Sequence, residues 1–176
     1  MSTLQPQPTS PLADLLLHQY DASLATLNLT LARCPDSLCN HPVANWKFCQ
    51  AAFHTLFFAD VYLQPSDDVP ALKNQPFHLA HPADFRDYEE LEDRPQTLLY
   101  EKPFLLAFLQ HVRQKAHTTL PIEAPTLLTA PSGFRRRNCS RAELHGYNIR
   151  HIQHHAAQLS LRLRLDAHID IPWVSH

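Results

Sequence analysis

Apolar positions recur at intervals of three and four residues in four stretches of the chain, and residues that start or stop helices bound each stretch. The first opens at Ser10-Pro11, where serine caps free amides and proline takes the first helical position, whose N–H has no helical partner anyway. It runs to about Arg33 and places Leu12, Leu16, Leu24, Leu27 and Leu31 on one broad face, with Leu15 and Tyr20 beside them; Cys34-Pro35-Asp36 stops it. The second is expected from Trp46, with Asn45 as cap, to about Leu63, and Pro65 lies just beyond its end. Trp46, Phe48, Ala51, Ala52, Phe53, Leu56, Phe57, Phe58, Val61 and Tyr62 make it apolar on nearly every side. Such a helix must be covered on most sides, as in a bundle or a bundle that dimerises.

The third begins near Pro103 with Phe104, Leu105, Phe108, Leu109 and Val112 on one face. It carries Arg113, Lys115 and His117 in its last turns, where cations complement the helix dipole, and ends before Pro121. The fourth has the clearest start, because Ser140-Arg141-Ala142-Glu143 is a capping box, and it should reach about Leu165. After it, Ile169 to Trp173 reads as an extended tail packed through Trp173. Between the second and third stretches, Gln64 to Gln96 is rich in proline and aspartate and reads as a long ordered connection with a short helix at Asp84 to Leu91. Connections of that length often cover a site. Pro121 to Asn138 is a further loop, containing the run Arg135-Arg136-Arg137.

Composition supports an all-α reading: leucine far outnumbers valine and isoleucine together, glycine occurs only 2 times, and the 15 prolines fall mostly between the apolar stretches. A length of 176 residues suits a single domain, residues 1–176, with a substantial core. The formal net charge of -2, with 13 histidines neutral, provides no broad cationic field for a run of phosphates, so nucleic acid is a poor partner. Met1 to Pro11 lacks a basic segment followed by an apolar one, and no apolar run approaches the ~20 residues a bilayer requires, so a cytoplasmic protein without membrane association is expected. Cys34, Cys39, Cys49 and Cys139 include no Cys-x-x-Cys pair and read as reduced thiols, with a Cys34–Cys39 bridge or a second metal site as the minor alternative.

The candidate chemistry lies in helices two and four. His151 and His155 are one turn apart, so both imidazoles reach one ion without distorting the backbone. His154, three residues from His151, competes with His155, and the four-residue spacing favours His155. Two histidines alone have an ordinary explanation as solvated side chains. His54, set among Phe53, Leu56, Phe57 and Phe58, alters the balance, because a buried imidazole needs a partner for each ring nitrogen and facing helices of a bundle deliver ligands to one interior point. Gln158 and Tyr147, one turn to either side of the pair, are candidates to support it, with ordinary packing as the alternative; Asp60 is off the face of His54. Arg135-Arg136-Arg137 reads as solvated surface with some capacity to attract an anion. Cys139 beside it reads as an inert thiol, and His18, His111, His117 and His145 as surface or rim residues.

Two motifs carry a family resemblance. Phe53-His54-Thr55-Leu56-Phe57-Phe58-Ala59-Asp60-Val61-Tyr62-Leu63, together with Asn148-Ile149-Arg150-His151-Ile152-Gln153-His154-His155-Ala156-Ala157-Gln158-Leu159, resembles the DinB/YfiT-like metalloproteins of the DinB superfamily. The family pattern is a lone histidine in the second helix and a later His-x-x-x-His pair followed by a short residue and Gln-Leu. Here Ala157 replaces the commoner glycine before the glutamine. The resemblance implies a four-helix bundle, usually a homodimer, with His54, His151 and His155 as ligands of a divalent ion such as zinc or nickel. It further implies a thiol-dependent transferase or isomerase, in which the metal activates a low-molecular-weight thiol.

Three neutral imidazoles would leave a coordination position open, as catalytic sites do. The expectation is a metal-dependent transferase or hydrolase acting on a small-molecule electrophile. The alternative is a non-catalytic metal-binding or dimerisation module. An all-histidine shell is expected to lose its ion as pH falls through about 6.5.

Overall fold

The computed structural model describes residues 10–43, 46–68, 76–77 and 98–175. Among them are six α-helices: α1 (Pro11–Arg33), α2 (Asp36–Cys39), α3 (Phe48–Tyr62), α4 (Lys102–Thr119), α5 (Pro125–Thr129) and α6 (Arg141–Ala167). A single 3-10 turn, Leu120–Ile122, follows α4, and a two-residue antiparallel pair, β1 (Pro42–Val43) with β2 (Trp46–Lys47), precedes α3. The protein is all-α, as the periodicity predicts. The expected short helix at Asp84 to Leu91 lies outside the described residues.

The helix starts follow the local chemistry. Ser10 Oγ accepts from the Ala13 amide at 3.1 Å, and Glu143 Oε2 accepts from the Ser140 amide at 2.7 Å to close the capping box of α6. The second helix begins two residues later than expected: Trp46 is paired in β2, and Gln50 Oε1 accepts from the Lys47 amide at 3.0 Å. The antiparallel pairing overrides helix propensity there and moves Trp46 off the helix. At the far end of α6, His168 takes the left-handed conformation (φ 57°) and the Ile169 amide donates back to the Leu163 carbonyl at 3.1 Å.

The four long helices form a closed ring in which α1 and α3 each pack against both α4 and α6. Paired contacts give their directions. Tyr20 meets His145 and Thr30 meets Ser160, so α1 and α6 are parallel. Phe53 meets Phe108 and Asp60 meets Lys115, so α3 and α4 are parallel as well. In contrast, Tyr62 meets Tyr147 and Phe48 meets Arg162, so α3 and α6 are antiparallel. Parallel neighbours cannot be joined by a tight turn: the chain leaving α3 must travel back the length of a 15-residue helix, about 22 Å, before α4 begins. The long connection between them is therefore a requirement of the topology.

Every residue of α3 except Ala51 is buried, in agreement with its all-round apolar character, and Phe53, Leu56, Phe108, Leu24, Leu27 and Leu159 form the middle of the core. Two expected core contributors are not buried. Leu12 and Leu15, in the first turns of α1, fall to the side of the buried stripe that Ala13, Leu16 and Tyr20 begin and are exposed. Trp173 is 88% exposed; the tail is held by Arg33 Nη1, which donates to the Asp170 carbonyl at 2.8 Å, and by the partly buried Ile169 and Ile171.

A buried polar network fixes the helices in register. Arg141, in the first turn of α6, donates through Nε and Nη2 to Glu123 Oε1 at 2.9 and 2.8 Å. Its Nη1 and Nη2 also reach the carbonyls of Tyr62, Leu63 and Gln64 at 3.0, 3.2 and 2.7 Å, the groups that the end of α3 leaves without helical partners. From Glu123 Oε2 the chain continues through His145 Nε2 at 2.8 Å, His145 Nδ1 to the Tyr20 hydroxyl at 3.1 Å, and Asn148 Nδ2 to that hydroxyl at 2.9 Å. His145 is completely buried, whereas the sequence suggested a surface or rim position; its ring is solvated by Glu123 and Tyr20 instead of water.

Burial pushes the Glu123 carboxyl up, but its hydrogen bonds to His145 and Arg141 outweigh this and hold it below its ordinary value. A carboxylate with a depressed folded pKa stabilises the fold above its unfolded pKa and loses that contribution as pH falls through the folded value. Replacing Glu123 with alanine leaves the Arg141 charge buried without its carboxylate. The expected loss at neutral pH is about 3–5 kcal/mol in urea unfolding, and the difference from wild type should shrink as pH is lowered below 4.5.

Candidate metal centre

His54 is in the middle of α3, and His151 and His155 lie one turn apart on α6, on the face turned toward α3. The antiparallel packing brings all three together. One ring nitrogen from each lies within 4.8 Å of the others, and ring centroids are 4.7 Å apart for His151 and His155, 4.9 Å for His54 and His155, and 5.2 Å for His54 and His151. His54 and His155 are buried and His151 is half-buried. Three buried or half-buried histidines thus lie close enough to hold a metal ion. Among the described residues no fourth histidine, cysteine or carboxylate joins them.

Nitrogen geometry tests the fit. His54 Nε2 and His151 Nε2 are 3.2 Å apart, a separation at which two lone pairs repel unless a proton or a cation lies between them. Around an ion bonded tetrahedrally to imidazoles at about 2.0–2.1 Å, neighbouring nitrogens are about 3.3 Å apart, so the observed spacing suits two vertices of such a shell. Gln158 orients the third imidazole. Its Oε1 lies 2.9 Å from His155 Nδ1, and its Nε2 lies 3.1 Å from His154 Nε2. The amide oxygen accepts the Nδ1 proton of His155, which leaves the Nε2 lone pair for the centre, while the amide nitrogen donates to His154. The competition between His154 and His155 is therefore decided: His155 points inward, and His154 is exposed and attached to the outer side of Gln158.

Aromatic rings enclose the group. Trp46 meets His54 edge-on at 5.5 Å and stacks near His155 at 6.4 Å, and Phe58 meets His54 at 5.0 Å and His151 at 5.9 Å. Read as a helical residue, Trp46 gave no sign of this covering role; the signal available was its place eight residues before His54, in a segment rich in turn formers. Desolvation, reinforced by the neighbouring histidines, lowers the proton affinity of all three imidazoles. His54 is well below the ordinary 6.5; His151 is lowered to about 3 by burial and then by His155, His154 and Arg137; His155 is lowered to about 4 by burial, against an opposing hydrogen bond to Gln158. The rings stay neutral, the form that ligates.

No family model, curated protein or solved structure matches the chain.

The other candidates take separate places. Asp60 is buried against α4, beside Lys115 Nζ and 3.2 Å from His111 Nε2. His117 is exposed and pairs with Asp21 at 3.0 Å, and His18 is exposed. Cys34, Cys39 and Cys49 are buried free thiols, and Cys139 is a partly buried free thiol. The arginine run divides. Gly133, at φ 82°, sits where a Cβ would come within 2.2 Å of the Pro65 carbonyl oxygen, so only glycine fits. Beyond this turn Arg135 pairs with Asp67 at 3.2 Å on the surface, whereas Arg137 turns inward and donates from Nη2 to the hydroxyls of Tyr62 and Tyr147 at 2.8 and 3.1 Å. Tyr147 thus braces Arg137 and not the histidines.

Two outcomes test this geometry. Gln158→Ala, which frees His155 to rotate, should weaken divalent metal affinity about 10- to 100-fold in chelator competition. In the folded protein, protons should displace the ion only as pH approaches about 4, not at 6.5 as for a free imidazole, because burial has already depressed the competing protonation. Metal titrations between pH 7 and 4 separate the two midpoints. Below 6.5 the unfolded chain takes up protons that the folded site refuses, so metal-free protein loses stability over the same interval.

Proposed function

We propose that the chain is a metal-dependent enzyme of the DinB/YfiT-like kind, a four-helix bundle in which His54, His151 and His155 ligate a divalent ion, zinc or nickel. Its reaction is transfer of a nucleophile, a low-molecular-weight thiol or water, to a small electrophile. The observation that carries this reading is the convergence of three neutral, water-shielded imidazole rings from two antiparallel helices. When bound, the ion supplies Lewis acidity that acidifies a thiol or water at neutral pH. Three imidazoles, with no fourth histidine, cysteine or carboxylate joining them among the described residues, support an open coordination position of the kind catalytic sites keep.

The chain's own residues do the rest. Gln158 sets the tautomer and angle of His155. Trp46 and Phe58 exclude water from the histidine face, which strengthens every electrostatic interaction within it. Lowered proton affinity keeps the ligands competent across the physiological pH range.

Elemental analysis of purified wild type should find close to one divalent ion per chain, and His151→Ala should lose it; equal metal in both would remove the ligand assignment. Conjugation of a low-molecular-weight thiol to a chlorodinitrobenzene probe, followed by absorbance, should depend on that ion and vanish in His54→Ala. A metal-loaded protein inert toward thiol and hydrolytic probes alike would leave a binding module instead of an enzyme.

A further inference from the structure

A cavity of 650 Å³ is lined by Arg136, Arg137, Asn138, Glu143, Tyr147 and Arg150 among others. The size suits a small molecule. It occupies the side of α6 one turn before His151, since Tyr147 and His151 are separated by about 6 Å along the helix axis. Continuous aromatic contact joins the two regions: Tyr147 meets Tyr62 at 5.4 Å, Tyr62 stacks on Phe58 at 5.7 Å, and Phe58 touches His54 and His151.

The cavity is rich in donors and in positive charge. Arg137 and Arg150 line it together with one carboxylate, Glu143, which is already engaged by the Ser140 amide and hydroxyl at 2.7 and 2.8 Å. Arg137 is half-buried and has no carboxylate partner among the described residues. Its Nη2 is held by two phenols and its guanidinium lies 4.4 Å from the Tyr147 ring centre, which fixes the group while leaving Nε and Nη1 available. Tyr147, having accepted from Arg137, retains its own hydroxyl proton to donate. Arg150 is exposed at the rim. A rigid, half-desolvated guanidinium without a counter-charge is the arrangement that recognises an oxyanion through paired, charge-assisted hydrogen bonds.

We infer that this cavity binds the oxyanion of a small-molecule substrate, a carboxylate or a phosphate, through Arg137 with Arg150 and Tyr147, one turn of α6 from the histidine cluster. The catalytic part of this inference rests on the metal-enzyme reading above; the anion site itself does not.

The test uses the full chain and two probes, inorganic phosphate and acetate, at constant ionic strength, with the arginine Nε–H signals followed by NMR. Saturable shifts at Arg137 and Arg150 with either probe are expected, and the tighter probe names the oxyanion. Arg113, paired with Asp21 at 2.9 Å on the far side of the ring, should stay still. Arg137→Gln and, as a surface variant that leaves the fold intact, Arg150→Gln should each weaken binding roughly tenfold. No saturation with either probe, equal shifts at Arg113, or unchanged affinity in both variants would overturn the site. Elemental analysis of the same samples keeps the two readings apart. Metal without oxyanion binding removes only the cavity assignment, whereas oxyanion binding without metal supports the cavity and removes the metal centre.

Discussion

The relation between α3 and α6 depends on one buried cation. Arg141 sits in the first turn of α6 and spends its guanidinium on Glu123 and on the carbonyls of Tyr62, Leu63 and Gln64 at the end of α3. The clasp is fully compensated, so an expensive group to bury becomes a locating pin. From that pin His151 is ten residues along α6, about 15 Å, and His54 is eight residues back along α3, about 12 Å. The two helices run in opposite senses, so both positions fall at nearly the same depth. The histidine convergence follows from that register.

The same helices carry two matched columns, His54, Phe58 and Tyr62 on one side and His155, His151 and Tyr147 on the other. Each column repeats at one turn, and the contacts between them change character along the seam. Imidazoles meet at one end, a phenylalanine separates the middle, and phenols clasp an arginine at the other. Charge is handled differently in each part. At the histidine end burial keeps the groups neutral, whereas at the arginine end a permanent cation is retained and steadied by hydroxyls that cannot neutralise it. Imidazole nitrogens and guanidinium donors thus sit about a turn apart along the same two helices.

Much of this was legible in the chain. The boundaries of α1 and the start of α6 follow from Ser10-Pro11 and the capping box at Ser140, because caps are local chemistry. The three histidines were legible because a lone imidazole among phenylalanines and a pair at one-turn spacing each constrain where the rings can go. What escaped depended on partners distant in sequence. The burial of His145 requires Glu123 and Tyr20, which lie 22 and 125 positions away. Trp46 left the helix because a two-residue pairing competed successfully for its backbone. The arginine run looked uniform as text, and only the turn at Gly133 sends its first and last members to opposite environments.

That spacing also governs how such a protein can change. One residue inserted between Tyr147 and His151 would swing the arginine end about 100° away from the histidine end, while the clasp at Arg141 stayed in place. Loops outside these columns can lengthen without disturbing them, provided the run from α3 to α4 still spans the return it must make. Within them, innovation must proceed by exchanging side chains at fixed addresses, so new specificities arise here by substitution and not by insertion or deletion.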